Sequence, residues 1–223
     1  MQDYLPILAT LSCTDLSDAM DRLGINCQVS GITPLDRSFN LIGQAWTLRY
    51  GAIGQDGGTV GDYIDDLGPG QVVVLDNQAR LDVTVWGDLL TMTASKRNVA
   101  GTVIDGICRD IDRALELGYP VFARGNWMRT GKDRVRVEAI QEPVTIGGIR
   151  VEPGDWLRGD GDGLVVLPAK RIGEVIPIAV EIRDAEERIR LAVQRGAPLR
   201  QARADNGYHG LQTKRFSSEA PRP

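Results

Sequence analysis

Three side chains in this sequence have the types and spacing to do chemistry together: Asp88 and, after twenty intervening residues, Arg109 and Asp110. Two carboxylates beside a guanidinium suit a carboxylate substrate held next to a hard cation, with the arginine forking onto the substrate. Backbone geometry explains how residues so far apart can meet. Asp88 follows Gly87 at a helix start, as N-cap or first-turn residue, and the helical pattern runs to Arg97-Asn98. Such a helix advances roughly 15 Å. Val99 to Ile104 is a β-branched apolar run that reads as a buried strand. Carried to Asp105, that strand returns roughly 20 Å. The helix N-terminus and the strand exit therefore fall at one end, where open α/β sheets bind ligands and helix N–H groups favour anions.

The remaining reactive residues narrow the chemistry. His209 is the only histidine and sits in a Gly-rich tail, so one chain cannot build a multi-histidine metal site or a convincing Ser-His-Asp triad. A metal site must use oxygen ligands, which points to Mg²⁺ or Mn²⁺ rather than zinc. Cys13, Cys27 and Cys108 are odd in number and lack a CxxC spacing, which fits a reduced cytoplasm. Cys108 adjoins the motif but has no neighbouring base in sequence, so it reads as a small buried residue. Gly54-Gln55-Asp56-Gly57-Gly58 is a loop without the Lys-Ser/Thr of a phosphate-binding P-loop, and Gly159 to Gly163 lacks the glutamate of a calcium loop. A second Arg-Asp pair, Arg183-Asp184, falls mid-helix and reads as a solvated face.

Composition sets the frame. The 223 residues suit one domain of 1–196 followed by a Gly/Pro-punctuated tail of 197–223, free or packed on a neighbouring subunit. A net charge of −4 argues against a nucleic-acid-binding surface. No apolar stretch approaches the roughly 18 residues of a membrane span, and the N-terminus lacks the basic region of a secretory signal.

Along the chain, Thr14 to Leu23 reads as a helix capped by Thr14, and Leu41 to Tyr50 as a strand. Val60 to Leu67 reads as a short helix, and Gln71 to Leu75 as a buried strand ended by Asp76-Asn77. With the Asp88 helix and the Val99 strand these form a β-loop-α-β unit. Ile111 to Leu117 is a helix and Val121 to Ala123 a strand. Arg134 to Val151 reads as a hairpin around Gly147-Gly148, and Leu164 to Leu167 as a strand. Arg171 to Arg195 is a long helix, kinked or restarted at Pro177, with Ile178, Ile182, Ala185, Ile189 and Ala192 as its apolar stripe.

The D-x20-R-D spacing, with the words GDLL and VIDGICRD around it, resembles the RraA-like family from about Thr14 to Arg195. That family includes class II aldolases of 4-hydroxy-4-methyl-2-oxoglutarate and 4-carboxy-4-hydroxy-2-oxoadipate, and the regulator of ribonuclease E activity. The resemblance implies an α/β domain of the swivelling β/β/α type, with mixed sheets flanked by helices, assembled as a homotrimer or a multiple of it. It implies a lyase that releases pyruvate from a small 2-oxo acid and decarboxylates oxaloacetate; a non-enzymatic regulator and a lyase on another 2-oxo acid are the alternatives. Arg109 would pair with the substrate's carboxylate and oxo group, helped by the backbone at Gly87, Leu89 and Leu90. Asp110 would ligate the metal, and Asp88 would reach it directly or through water and position the base. A neighbouring subunit's glutamate would complete the site, best matched by Glu186, with Glu187 and Glu181 as alternatives. The segment Leu81 to Val85 departs from the family by lacking its glycines, which bears on substrate side-chain specificity.

Overall fold

The computed structural model describes residues 4–53, 60–211 and 213. The Gly54 to Gly58 loop lies outside the described residues. The chain opens with helices α1 (Leu5–Leu8) and α2 (Cys13–Arg22), then strands β1 (Thr33–Pro34) and β2 (Leu41–Ala52). After a 3-10 turn at Asp62–Asp66 come β3 (Gln71–Thr84), α3 (Asp88–Lys96), β4 (Gly101–Cys108), α4 (Ile111–Leu117) and β5 (Val121–Asn126). Strands β6 (Val135–Ile140), β7 (Val144–Ile146), β8 (Ile149–Val151), β9 (Trp156–Asp160) and β10 (Gly163–Leu167) follow. Helices α5 (Ile172–Gln194) and α6 (Leu199–Asp205) and a 3-10 turn at Tyr208–Gly210 complete the order.

The main sheet runs β1-β5-β4-β3-β2-β9-β10, with β6 paired to the far half of β2. Its centre, β2 through β5, is parallel, and β1, β6, β9 and β10 add antiparallel edges. Mixed strands flanked by helices are the predicted class. The period-two alternation of β3 shows the layering. Val73 and Leu75 face the cluster that holds Trp86 and Ala94, while Val72 and Val74 face the cluster under the β7–β8 hairpin. Every residue of β4 is buried, as expected of a parallel strand covered on both faces. Helices α2 and α5 pack together over β9 and β10 as a third apolar cluster. No helix among the described residues is long and apolar enough to cross a membrane.

Several expectations need correction. β3 does not end at Asp76-Asn77; it continues to Thr84, slipping register against β4 twice. Gln78 and Ala79 take left-handed backbone at the first slip, a local turn inside the strand. α2 is capped by Ser12, not Thr14, through a capping box with Asp15. The stretch 60–67 holds only the 3-10 turn. The hairpin around Gly147-Gly148 is β7–β8 alone, because Gln141 turns at positive φ, Pro143 follows, and β6 pairs with β2 instead. α5 neither stops nor restarts at Pro177. The proline falls in the second turn, where it forfeits one bond, and Ala179, Ile182, Ala185 and Ile189 keep the rest buried. Ala179 takes the buried place expected of Ile178, and Ala192 is only half-buried. Within the chain, α6 packs on α5, Ala202 is buried, and Arg188 Nε donates to Asn206 Oδ1 at 3.0 Å.

One buried ion pair ties the layers together. Asp105 on β4 accepts from Arg124 on β5 and from the Gly147 N–H at the hairpin turn, 3.0 Å away. Removing the cation alone leaves a buried carboxylate without its counter-charge. Arg124→Ala is therefore expected to cost about 3 kcal/mol in urea unfolding. Asp105→Asn, which removes the charge and keeps an acceptor, should cost less than half of that. Equal losses would mean that the attraction within the pair, not the stranded carboxylate, carries the cost.

Candidate active site

The strand exit and the helix start meet as the sequence geometry requires. Thr84 pairs with Ile107, so the two register slips bring Trp86 level with the end of β4. There the Arg109 N–H donates to the Trp86 carbonyl at 2.9 Å. Gly87 then caps α3, and Asp88 is the helix's first residue rather than its cap. The Asp88 N–H lies 3.4 Å from Asp110 Oδ2, and Arg109 Nε lies 3.3 Å from the same oxygen. Asp110 caps α4 with a left-handed backbone (φ 54°, ψ 42°), which Asp tolerates better than most residues. That turn swings the carboxylate back toward α3. Strained backbone of this kind is often kept where function needs it.

Gly87 is required by this close approach. A Cβ there would lie 2.8 Å from Asp110 Oδ2 and 3.3 Å from Arg109 Nε. The absent side chain lets the start of α3 sit directly against both groups. Asp88 is exposed, and its Oδ1 accepts from the Leu89 N–H at 2.8 Å. The Leu89 N–H expected to face substrate is thus engaged by its own neighbour. Leu90 precedes the first helical bond, Thr91 N–H to the Gly87 carbonyl at 3.0 Å, so its N–H belongs to the open end of the helix.

Arg109, Gly87, Asp88, Leu89 and Leu90 all border one cavity of about 310 Å³. Its wall is apolar: Val60, Ile64, Val85 and Trp86 line it together with Leu90. Asp88 also borders a second cavity of about 260 Å³, shared with Asp110, Asp112, Arg113 and Glu116. The arrangement can hold an anion on Arg109 and a cation between Asp88 and Asp110, at the mouth of an apolar chamber. Val60 and Ile64, which form part of that wall, went unnoticed in the sequence.

Glu186 lies elsewhere. It borders a groove with Ile189, Arg190, Leu199 and Tyr208, on α5 and the segment after it. Partial burial raises its carboxyl above the ordinary range, reinforced by Asp15 and Asp18. Glu181 is paired with Arg22 at 3.0 Å and Glu187 with Arg190, whereas Glu186 makes no ion pair among the described residues. No group of three or more His, Cys, Asp or Glu converges as a metal site among the described residues, so the trio Asp88, Asp110 and Glu186 is not assembled within one chain. Arg183 pairs with Asp184 on an exposed face. Cys108 is buried and its thiol is pushed up to about 12 by that burial, which removes it as a nucleophile.

Fold and site together define an α/β domain with a cavity at the carboxyl ends of its parallel strands. The chain belongs to the RraA-like family (Aldolase/RraA), whose sequence profile matches residues 13–166. It is 38% identical to protein DlpA of Legionella pneumophila over 97% of its length, and spans only 36% of that protein. It is 31% identical to the "Putative 4-hydroxy-4-methyl-2-oxoglutarate aldolase" of Halalkalibacterium halodurans, covering 74% of this chain and 77% of that one. Among solved structures, an uncharacterized protein from Pseudomonas syringae superposes with a TM-score of 0.85 at 38% identity, covering 91% of this chain and 98% of that one. Streptomyces coelicolor RraAS2, described as an unusual member of the RNase ES inhibitor RraA family, superposes at 0.75 with 29% identity, covering 82% and 92%.

The glycine offers a test free of any charged substitution. Gly87→Ala is expected to fold with nearly unchanged thermal stability, because the Cβ meets flexible side-chain ends rather than backbone. It should weaken calorimetric binding of oxalate in the presence of Mn²⁺ by roughly tenfold or more, since a displaced Arg109 loses its bidentate fork. Unchanged oxalate affinity would place the anion site elsewhere.

Proposed function

We propose that this protein is a divalent-metal-dependent class II aldolase. It cleaves 4-hydroxy-2-oxo acids, such as 4-hydroxy-4-methyl-2-oxoglutarate, to release pyruvate, and decarboxylates oxaloacetate as a side activity. The observation that carries the reading is the meeting of Arg109, Asp88 and the open end of α3 on one cavity, with Asp110 against them and bordering the second cavity that Asp88 shares. Family membership and the aldolase-named relative support it.

The donor chemistry fits a hard cation. Mg²⁺ and Mn²⁺ are satisfied by one or two carboxylates, with water and substrate oxygens completing the shell. Asp110 and Asp88 would hold the ion, which when bound supplies a Lewis acid to the substrate's 2-oxo group. The chain's own groups do the rest. Arg109 forks onto the carboxylate and 2-oxo oxygen, and the Leu90 N–H adds a donor at the positive end of α3. Asp88, exposed at the cavity mouth, takes the C4 hydroxyl proton through an ordered water. The C3–C4 bond breaks, its electrons enter the 2-oxo carbonyl, and Arg109 stabilises the resulting pyruvate enolate. Protonation at C3 gives pyruvate, and C4 leaves as a carbonyl compound. Oxaloacetate loses carbon dioxide from the same position through the same enolate and needs no hydroxyl base.

In this reading the active unit is a homotrimer or a multiple of it, and Glu186 of one subunit reaches the Asp88–Asp110 edge of the next. Its carboxylate, without an ion pair among the described residues, against the engaged Glu181 and Glu187, favours it for that role. A protein-binding regulator of ribonuclease E is the second reading, supported by the likeness to RraAS2 and by exposed Leu89 and Met128 beside the site.

Three outcomes follow for pyruvate release. EDTA should abolish it and Mg²⁺ or Mn²⁺ restore it; full turnover by rigorously metal-free protein contradicts the class II mechanism. Arg109→Lys keeps the charge and loses the fork, so kcat/KM should fall roughly 100-fold or more while Mn²⁺ affinity persists. Mixing Arg109→Ala with Glu186→Ala under verified subunit exchange should restore activity that neither parent has. Lack of recovery argues against a shared site, and inhibition of ribonuclease E without pyruvate release favours the regulator.

A further inference from the structure

We infer that Thr84 and Thr130 form a subsite for a second carboxylate on C4 of the substrate, an assignment that deepens the aldolase reading above and rests on it. Three threonines line the cavity that Arg109 borders: Thr84, Thr93 and Thr130. Thr93 spends its hydroxyl on the Leu89 carbonyl at 2.8 Å. The other two keep theirs. Thr130 Oγ1 accepts from the Lys132 N–H at 3.2 Å, which orients the oxygen and leaves its own proton to donate. Thr84 is 3% exposed, yet its hydroxyl makes no hydrogen bond among the described residues. Asn77 Oδ1 is the only fully enclosed, partnerless side-chain polar atom among the described buried and half-buried residues, so the Thr84 oxygen is not sealed in. Its opening is the cavity. A buried hydroxyl left without a partner is uncommon and marks a place where an acceptor arrives.

Backbone pairing sets the two threonines side by side. Thr84 and Thr130 are direct partners in an isolated parallel bridge, and the Thr84 N–H donates to the Arg129 carbonyl at 2.9 Å. Bridged partners lie one strand spacing apart, roughly 4.8 Å. Gly131 permits the approach, because a Cβ there would lie 2.5 Å from the Thr84 carbonyl oxygen. Two hydroxyl donors at that spacing suit the two oxygens of one carboxylate, each donor taking one oxygen. Arg109 is the only cation among the described residues of the lining, and in the aldolase reading the 2-oxo acid end of the substrate takes it. A carboxylate at the other end must be met by neutral donors. The Trp86 Nε1–H is spent on Thr91 Oγ1 at 2.9 Å, which leaves the Thr84 and Thr130 hydroxyls. Asp62 and Asp88, in the same lining, are exposed, so water and salt screen their repulsion. Thr84 belongs to Leu81 to Val85, the stretch that lacks the family's glycines, which gives that departure a role in choosing the substrate.

The test uses the Mn²⁺-loaded protein and two substrates, 4-hydroxy-4-methyl-2-oxoglutarate and 4-hydroxy-2-oxopentanoate, which lacks the second carboxylate. Thr84→Val removes no hydrogen bond within the described residues and is expected to fold with unchanged stability. It should lower kcat/KM for pyruvate release from the dicarboxylate about tenfold, and Thr84→Val with Thr130→Val about 100-fold. Release from the monocarboxylate should stay within about twofold, and Thr84→Ser, which keeps the hydroxyl, should keep the wild-type ratio. Calorimetry reads the subsite without turnover. The wild-type protein should bind 2-oxoglutarate more tightly than 2-oxopentanoate, and Thr84→Val should weaken 2-oxoglutarate alone by about tenfold. Equal losses for both ligands, or no loss for either, overturn the inference, and Thr84→Val alone decides should the double variant fail to fold. Selective loss of 2-oxoglutarate binding, with no pyruvate released from either substrate by the wild-type protein, defeats the aldolase reading and leaves the carboxylate subsite standing.

Discussion

Everything at the site depends on how closely the start of α3 can approach the end of β4. A single missing Cβ at Gly87 sets that distance, and Asp110 Oδ2 and Arg109 Nε lie in the space it would fill. The approach also needs β3 to arrive at the right height. Its two register slips let a long strand end opposite a shorter stretch of β4, so that Trp86, Gly87 and Asp88 follow at the exit. The Arg109 N–H to Trp86 carbonyl bond then fixes the two segments together. The two backbone segments are thereby joined without any ligand, as a preorganised site requires.

Much of this was legible in the sequence because periodicity reports burial. The run Val99 to Ile104 announced a doubly covered strand, and α4 appeared with the bounds Ile111–Leu117 that its Gly118 stop indicated. The convergence of Asp88 with Arg109-Asp110 followed from lengths alone. The irregular half of β3 was not legible. Asp76-Asn77 looks like a strand end, but the chain makes a left-handed turn at Gln78 and Ala79 and resumes pairing. Only the tertiary requirement to reach Trp86 explains that continuation. Ser12 was passed over as a cap because Thr14 looked as suitable, and the difference lay in Asp15 closing the box. The chamber was invisible for a related reason: Val60 and Leu90 are ordinary apolar residues until a cavity lies between them.

The charge distribution gives the site its logic. Arg109 and Asp88 border a chamber with a largely apolar wall, and Asp110 Oδ2 lies 3.3 Å from Arg109 Nε. The family holds both named aldolases and RNA-processing inhibitors on this fold, so the site, rather than the fold, must carry the functional argument.

The central claim is that Arg109 and Asp110 divide the work, one holding the 2-oxo acid and the other the metal. A crystal structure of the protein soaked with Mn²⁺ and pyruvate tests it most directly, with anomalous scattering locating the ion. The account predicts an anomalous peak at ligand distance from the Asp110 carboxylate and the pyruvate carboxylate on the Arg109 guanidinium. Manganese and pyruvate bound together at any other place on the protein would contradict it.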